Sequence, residues 1–113
     1  MFTKSAVERI INAERPSNMT VTIVRPSIIG ASNSDPCPGW VEGVTAATAV
    51  FLLSGIGMLK HIHVNPNVIG DIIPVDVVAD EVIVTGAFCA SNQELNIFNC
   101  ATSSRNPTTW LLT

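Results

Sequence analysis

The 113-residue sequence has no tyrosine, few charged side chains and no cluster of basic residues. Charged residues make up 13% of the chain, against about 25% in an average soluble domain. Six Lys and Arg against nine Asp and Glu give a net charge of −3. Because no basic stripe is present to neutralise phosphates, the composition argues against a nucleic-acid partner.

Cysteine is also scarce, with only Cys37, Cys89 and Cys100, which are odd in number and widely spaced. No pair has a Cys-x-x-Cys or zinc-knuckle spacing. The pattern predicts buried, reduced thiols in a cytosolic protein.

Signals for a phosphate loop, a metal and a signal peptide are missing. The Gly55–Gly57 segment lacks the third glycine of a dinucleotide loop and follows no predicted strand. His61 and His63 alternate, but no carboxylate or cysteine stands at a suitable distance to complete a metal site. Residues 1–14 carry charges throughout and lack the apolar core of a signal peptide.

What the sequence has instead is apolar side chains, at 47% of residues and a mean hydropathy of +0.40. A chain of this length has room for one small domain or for a piece of a larger one. Residues 43–59 carry no charge, and the length of this uncharged segment is at the lower limit for a membrane span. Because Ser, Thr and Gly dilute this segment, we expect a buried helix or an apolar substrate wall rather than a membrane helix.

Hydrophobic periodicity and the placement of Pro and Gly predict an order of elements that is typical of half an α/β layered sheet. The β-branched run that ends at Pro26 has the near-continuous apolar character of a strand in a parallel sheet. The predicted apolar side of the third helix comprises Val75, Val78, Ala79, Val82, Ile83 and Ala87. The predicted elements are helices at residues 2–13, 43–58 and 75–89, strands at 20–25, 61–64, 72–73 and 95–100, a loop at 27–39, and the start of a helix at 108–113.

Two groups of residues are candidates for a site on physical grounds. Lys4 stands on the first turn of an amphipathic helix, where an ordinary surface lysine is the alternative. Pro26, Ser27 and Ile28 follow a buried strand, and ligands of open α/β sheets bind at the carboxyl ends of the strands. An ordinary strand-ending turn is the alternative for these three residues.

Three acidic residues, Asp71, Asp76 and Asp80, are candidate acids. Asp76 and Asp80 stand one helical turn apart on one face. A solvated helix start with a favourable dipole placement explains Asp76 equally well.

Six segments, in this order, resemble the fatty acyl-CoA reductases. They are F-T-K-S-A-V-E at 2–8, V-R-P-S-I-I-G at 24–30, D-P-C-P-G-W-V at 35–41, G-I-G-M-L-K at 55–60, D-I-I-P-V-D-V-V at 71–78 and N-P-T-T-W at 106–110. These enzymes are extended short-chain dehydrogenases/reductases of the male-sterility or NAD-binding type. The resemblance implies the C-terminal half of a Rossmann-like, doubly wound parallel sheet with a substrate-binding insertion. Residues 1–113 would then be a fragment of one reductase domain.

The resemblance also implies a chemistry, the NADPH-dependent reduction of long-chain acyl-CoA to fatty alcohol. Lys4 would be the catalytic lysine and would also bind the nicotinamide ribose, while Pro26, Ser27 and Ile28 would line the nicotinamide. The family's catalytic tyrosine would stand one position before Met1, and its Gly-rich nucleotide loop further upstream. We therefore expect the isolated chain to be inactive.

Further expectations follow from the same resemblance. The apolar segment 44–59 would shape the acyl tunnel or touch a membrane, and Asp76 and residues 106–110 would be structural marks of the family. The protein would work on the cytoplasmic side of peroxisomal or endoplasmic-reticulum membranes. The N-terminal half of the same domain would be the partner against which these residues pack.

Two other interpretations compete with this one. The chain resembles, less closely, other extended reductases such as thioester-reductase domains and nucleotide-sugar epimerases. It is also compatible with a non-catalytic remnant or an interaction module, since it contains neither a phosphate loop nor a tyrosine.

Overall fold

The structure is a computed structural model that describes residues 2–44 and 46–110, apart from the side chain of residue 46. Helices and parallel strands alternate along the chain, which confirms the predicted α/β class. The elements are α1 (Phe2–Glu14), β1 (Val21–Pro26), β2 (Ile28–Gly30), α2 (Ala46–Gly55), β3 (Ile72–Pro74), α3 (Val75–Cys89) and β4 (Leu95–Cys100).

The strands form two parallel pairs. β1 pairs with β4, and the register places Val21 opposite Leu95 and Pro26 opposite Cys100. β2 pairs with β3, beginning with Ile28 opposite Ile72. Parallel pairing requires a long crossover between the strands, and these crossovers contain the helices.

The chain changes its partner strand at Ser27, between β1 and β2. The amide of Ser27 donates a hydrogen bond to the carbonyl of Cys100, and the amide of Ile28 donates to the carbonyl of Asp71, both at 3.0 Å. One continuous extended segment therefore belongs first to one strand pair and then to the other.

The buried core lies where α3 covers the strands. Ile73 and Cys100 are each 1% exposed and cluster with Val78, while Val24 packs against them from β1. Burial, together with a hydrogen bond to Glu81, raises the pKa of the Cys100 thiol to about 11. This thiol is therefore protonated and unreactive at neutral pH.

Cysteine burial follows the prediction at two of the three positions. Cys89 and Cys100 are buried and free. The prediction was wrong for Cys37, which is exposed because it lies in the long loop after β2.

The predicted bounds of α3 agree with the structure, but its predicted apolar side was largely wrong. The buried residues are Val78, Thr85 and Cys89, whereas Val82 and Ile83 are exposed, Ile83 by 69%. Thr85 is compatible with burial because its hydroxyl donates to the carbonyl of the residue one turn earlier. Apolar residues occur on every side of α3, so the periodicity of the sequence did not identify which face packs against the strands.

α1 is held to the strands by two polar contacts. The guanidinium of Arg25, at the end of β1, forms an ion pair with Glu8 and donates from its Nε at 3.0 Å. Arg15, just after the helix, donates to the carbonyls of Met19 at 2.9 Å and of Gln93 at 2.8 Å. The middle of α1 thus lies near the carboxyl end of β1, and its end lies near the beginning of β4.

α2 is shorter than predicted and less buried. It spans Ala46–Gly55, and its only buried side chain among residues 47–55 is that of Ala47. Gly57 adopts a φ of +75°, the left-handed conformation that commonly terminates helices, and its amide donates to the carbonyl of Ser54. Phe51 and Leu52 remain exposed.

Three further predictions of local structure were wrong. β2 lies inside the predicted loop, because a three-residue strand depends on its pairing with β3 rather than on a local pattern. Residues 61–64 form no strand. Thr109 forms an antiparallel bridge with Ile69 instead of opening a helix. The remainder of that predicted helix, residues 111–113, lies outside the described residues.

The core predicts a large difference between two isoleucines of the 113-residue chain. We expect Ile73→Ala to lower the free energy of unfolding by about 3 kcal/mol, because it leaves a cavity between α3 and the strands. Chemical denaturation followed by circular dichroism measures this loss. Ile83→Ala is the matched control and should change the value by less than about 0.5 kcal/mol. Equal effects of the two substitutions would contradict the assigned core.

The anchoring of α1 predicts a second effect. Arg25→Gln removes the ion-pair partner of Glu8. We therefore expect the rate of amide hydrogen exchange to rise several-fold in α1 but not in α3. The hydrogen bond from Arg25 lowers the pKa of Glu8, so the stabilisation is present above the usual glutamate pKa of about 4.3 and is lost as the pH falls. The same loosening should therefore appear in the unaltered chain at low pH.

Exchanging the two charges provides the control. The double variant with Glu8→Arg and Arg25→Glu should restore slow exchange, whereas Arg105→Gln, at an exposed position, should leave α1 unchanged. A charge-exchanged variant as loose as Arg25→Gln would contradict the anchoring role.

Candidate active site

The carboxyl end of β1 carries the three residues predicted to lie beside a cofactor. Pro26 and Ile28 are exposed and Ser27 is partly buried. Pro26 ends β1, Ser27 follows it and Ile28 begins β2, at the edge where open α/β sheets bind ligands. The structure therefore brings them together at the change of strand partner.

Lys4 lies on α1, the helix that shares a cleft with β1. It is exposed on the first turn of α1, one turn before Glu8, whose carboxylate contacts Arg25 at the end of β1. Lys4 also lines an open cleft of ≈ 350 Å³ together with Glu8 and Ile23 of β1. Lys4 has no hydrogen-bond or ion-pair partner among the described residues.

Two polar atoms at the change of strand partner are buried and have no hydrogen-bond partner among the described residues. They are Oγ of Ser27 and Oδ1 of Asp71. The two residues are neighbours, because Ile28 pairs with Ile72 in the next register position. Buried polar atoms are nearly always hydrogen-bonded in a complete structure. An unpartnered hydroxyl at this edge is suited to a ligand with polar groups, such as the carboxamide and ribose of a nicotinamide cofactor.

The carboxylate of Asp76 accepts more hydrogen bonds than any other side chain described in this region. Its carboxylate accepts from the amides of Asn33, Ser34 and Asp35 at distances between 2.8 and 3.2 Å. These hydrogen bonds hold the pKa of Asp76 well below its usual range, and the bond from the amide of Asn33 makes the largest contribution. The carboxylate therefore fixes the loop after β2 and is not available as an acid, contrary to the prediction of a candidate acid.

Asp80 shares a cleft of ≈ 440 Å³ with Asp76 but makes none of these contacts. Its side chain is exposed on the second turn of α3. The two carboxylates do not act as a catalytic pair, because one is engaged by the loop.

Apolar walls lie next to this region. The cleft beside α2 has a volume of ≈ 520 Å³ and is lined by Val50, Phe51, Ser54, Gly55, Ile62, Val64 and Trp110. The Trp110 ring also packs over Gly70, where a Cβ would approach it to 3.1 Å. Trp110, the last residue of the segment 106–110, therefore helps to build this wall.

His61 and His63 are both exposed, and no three metal-ligating side chains converge within residues 2–44 and 46–110. No helix in this described part of the chain is long and apolar enough to cross a bilayer.

Sequence reasoning missed the specific roles of Asp71, Arg25 and Glu8. Asp71 was one candidate acid among three, and only the pairing of β2 with β3 places it beside Ser27. Arg25 and Glu8 are 17 positions apart. The segment D-I-I-P-V-D at residues 71–76 was the local signal for Asp71 and Asp76, and it did not identify their partners.

Comparison with known proteins supports an assignment to a family. Residues 1–82 match the model of the NAD-binding family described as male sterility protein. The chain is 36% identical over 112 residues to fatty acyl-CoA reductase 1 of Homo sapiens, covering 97% of this chain and 22% of that protein. It is 33% identical over 111 residues to fatty acyl-CoA reductase 2 of Mus musculus, covering 96% of this chain and 21% of that protein.

The chain thus spans about a fifth of the length of the curated relatives that it matches. The family model covers most of the chain, including the helix of Lys4 and the segment 26–28. Sequence similarity and the parallel α/β fold agree, and the chain belongs to the male sterility protein family of NAD-binding proteins.

Proposed function

We propose that the protein carrying this chain reduces long-chain fatty acyl-CoA to fatty alcohol with NADPH. The observation that carries the proposal is that Lys4 lies one helical turn before Glu8, which pairs with Arg25 at the end of β1, in a chain whose relatives are named fatty acyl-CoA reductases. Two reductions are required, the first releasing the CoA thiol and an aldehyde, the second forming the alcohol. Each reduction consumes one hydride and one proton.

Lys4 acts through its positive charge. An ammonium group near a phenol favours the phenolate and lowers the pKa of that phenol, which brings a tyrosine acid closer to the operating pH. The resemblance places this tyrosine four residues before Lys4, and the 113 residues themselves contain none. Lys4 is exposed and unpaired among the described residues, so its amine is free to contact a tyrosine and a ribose hydroxyl.

Pro26, Ser27 and Ile28 are proposed to hold the nicotinamide end of the cofactor. The buried, unpartnered hydroxyl of Ser27 supports this role, because a bound carboxamide or ribose would satisfy it. When bound, NADPH supplies the hydride. The choice of NADPH over NADH is carried by the family resemblance alone.

The acyl chain is proposed to lie against the apolar wall of α2. Phe51 is exposed there and lines the ≈ 520 Å³ cleft together with Val50 and Ile62. Apolar ligands gain affinity from such surfaces, since binding removes both surfaces from water. Membrane association of the full-length protein, on the cytoplasmic side of peroxisomes or of the endoplasmic reticulum, is part of the same proposal.

We also propose that residues 1–113 form one part of a larger Rossmann-like reductase domain. Within the described residues β1 pairs with one strand only, whereas parallel sheets of natural α/β domains usually have several strands and are covered on both faces. α3 exposes Val82, Ile83, Val84 and Phe88 on its outer side. The N-terminal half of the same domain would extend the sheet and cover such apolar surface.

Substitution of Lys4 in the full-length protein tests the proposed chemistry. We expect Lys4→Ala to lower kcat for NADPH-dependent acyl-CoA reduction about 10²–10³-fold, because the tyrosine acid loses its positive neighbour. The residual activity should shift its pH dependence upward, in the direction of an unassisted phenol. Steady-state kinetics with palmitoyl-CoA, measured as NADPH oxidation between pH 6 and 10, provides both readouts.

Arg9→Ala is the matched control, since Arg9 is an exposed cation on the same helix. It should leave kcat and the pH profile unchanged. Activity with a nucleotide-sugar or with a carrier-bound thioester, in the absence of acyl-CoA reduction, would instead favour another extended reductase. Full activity of Lys4→Ala would overturn the role of the lysine.

Phe88 tests the proposed domain. Its side chain is 79% exposed in the structure, so Phe88→Ser should scarcely change the unfolding of the 113-residue chain. In the full-length protein we expect a loss of about 3 kcal/mol, as for a buried phenylalanine. Denaturation of both forms measures the difference. An equally small effect in the full-length protein would show that its remaining residues do not cover this part of α3.

A further inference from the structure

Residues 32–40 form a closed loop that follows the carboxyl end of β2. The amide of Ser32 donates to the carbonyl of Trp40 at 3.0 Å, and the amide of Gly39 donates to the carbonyl of Ser32 at 2.9 Å. Gly39 adopts a φ of +82°, which glycine tolerates best. The two ends of the loop are thereby joined, and the Ser32 side chain at its base is 5% exposed.

Asp76 binds the first part of this loop from the neighbouring helix. The amides of Asn33, Ser34 and Asp35 donate to its carboxylate at 3.1, 2.8 and 3.2 Å, and the hydroxyl of Ser34 donates at 3.1 Å. Successive amides that converge on one point form a concave site for an anion. Here α3 supplies that anion, across more than 40 positions of sequence.

The other end of the loop places Trp40 between two clefts. Its side chain is 49% exposed. One cleft, of ≈ 440 Å³, also contains Asp76 and Ile83. The other, of ≈ 320 Å³, also contains Ile29 of β2. Val75, at the start of α3, lines both clefts, so the indole and this valine form the partition between them.

We propose that residues 32–40 form a wall of the acyl-CoA site, that Trp40 contacts the acyl chain, and that Asp76 is the positioning residue that fixes this wall. This inference rests on the proposed function. The loop follows directly on the segment 26–30, at the carboxyl edge where ligands of such sheets bind. A half-exposed indole offers a large apolar surface that loses little conformational entropy on contact with a hydrocarbon chain.

Asp76→Asn in the full-length protein tests this role. The substitution keeps the size of the side chain but removes its charge, and it turns one oxygen that accepts amide hydrogens into a donor. We expect the KM for palmitoyl-CoA to rise about tenfold, with kcat and the KM for NADPH changed less than about twofold. Trp40→Ala should produce the same split between kinetic constants while leaving the Asp76 hydrogen bonds in place.

The double variant sharpens the test. Because both residues act through one wall, the fold-rise in KM of the double variant should be smaller than the product of the two single fold-rises and close to that of the stronger single variant. Glu94→Gln, the same chemical change at an exposed carboxylate outside the loop, is the control and should behave like the unaltered protein.

The possible results separate the two proposals. An active unaltered protein whose KM for palmitoyl-CoA is unchanged in both Asp76→Asn and Trp40→Ala overturns the wall and leaves the proposed function standing. A fall in kcat with no change in KM overturns it as well. If the unaltered protein does not reduce acyl-CoA, the proposed function fails and the wall fails with it. Should Asp76→Asn not fold, Trp40→Ala alone decides.

Discussion

The structure depends on the change of strand partner at Ser27. One extended segment supplies β1, which pairs with β4, and β2, which pairs with β3. The amides of Ser27 and Ile28 satisfy carbonyls of two different neighbours, so the two strand pairs cannot move independently without breaking backbone hydrogen bonds. The core around Ile73 forms at this junction, and the candidate cofactor residues lie there because β1 ends there.

A chain with few charges uses some of them as long-range anchors. Glu8 pairs with Arg25 and joins α1, the helix that carries Lys4, to the end of β1. Asp76 accepts three amides of the loop after β2 and fixes that loop against α3. Both anchors join elements near the same edge of the sheet.

The apolar composition is only partly explained by the core. Large side chains of α2 and α3, such as Phe51, Ile83 and Phe88, remain exposed. Single exposed apolar residues are ordinary, whereas several on one element indicate a surface that binds something. The chain covers 22% of its human relative, and the proposed function gives such surface two uses: contact with the rest of the domain and contact with an acyl chain.

Local sequence determined the α/β class, the bounds of α3 and the strands β1 and β4, since periodicity, β-branched runs and proline act over a few neighbouring residues. The family motifs also brought Lys4 and the segment 26–28 to attention. Only the tertiary structure established β2, the buried face of α3, the burial of Ser27 beside Asp71 and the amide ligands of Asp76. Each of these depends on partners far away in the sequence, and a pattern read along the chain carries no information about which distant amide, strand or helix will supply them.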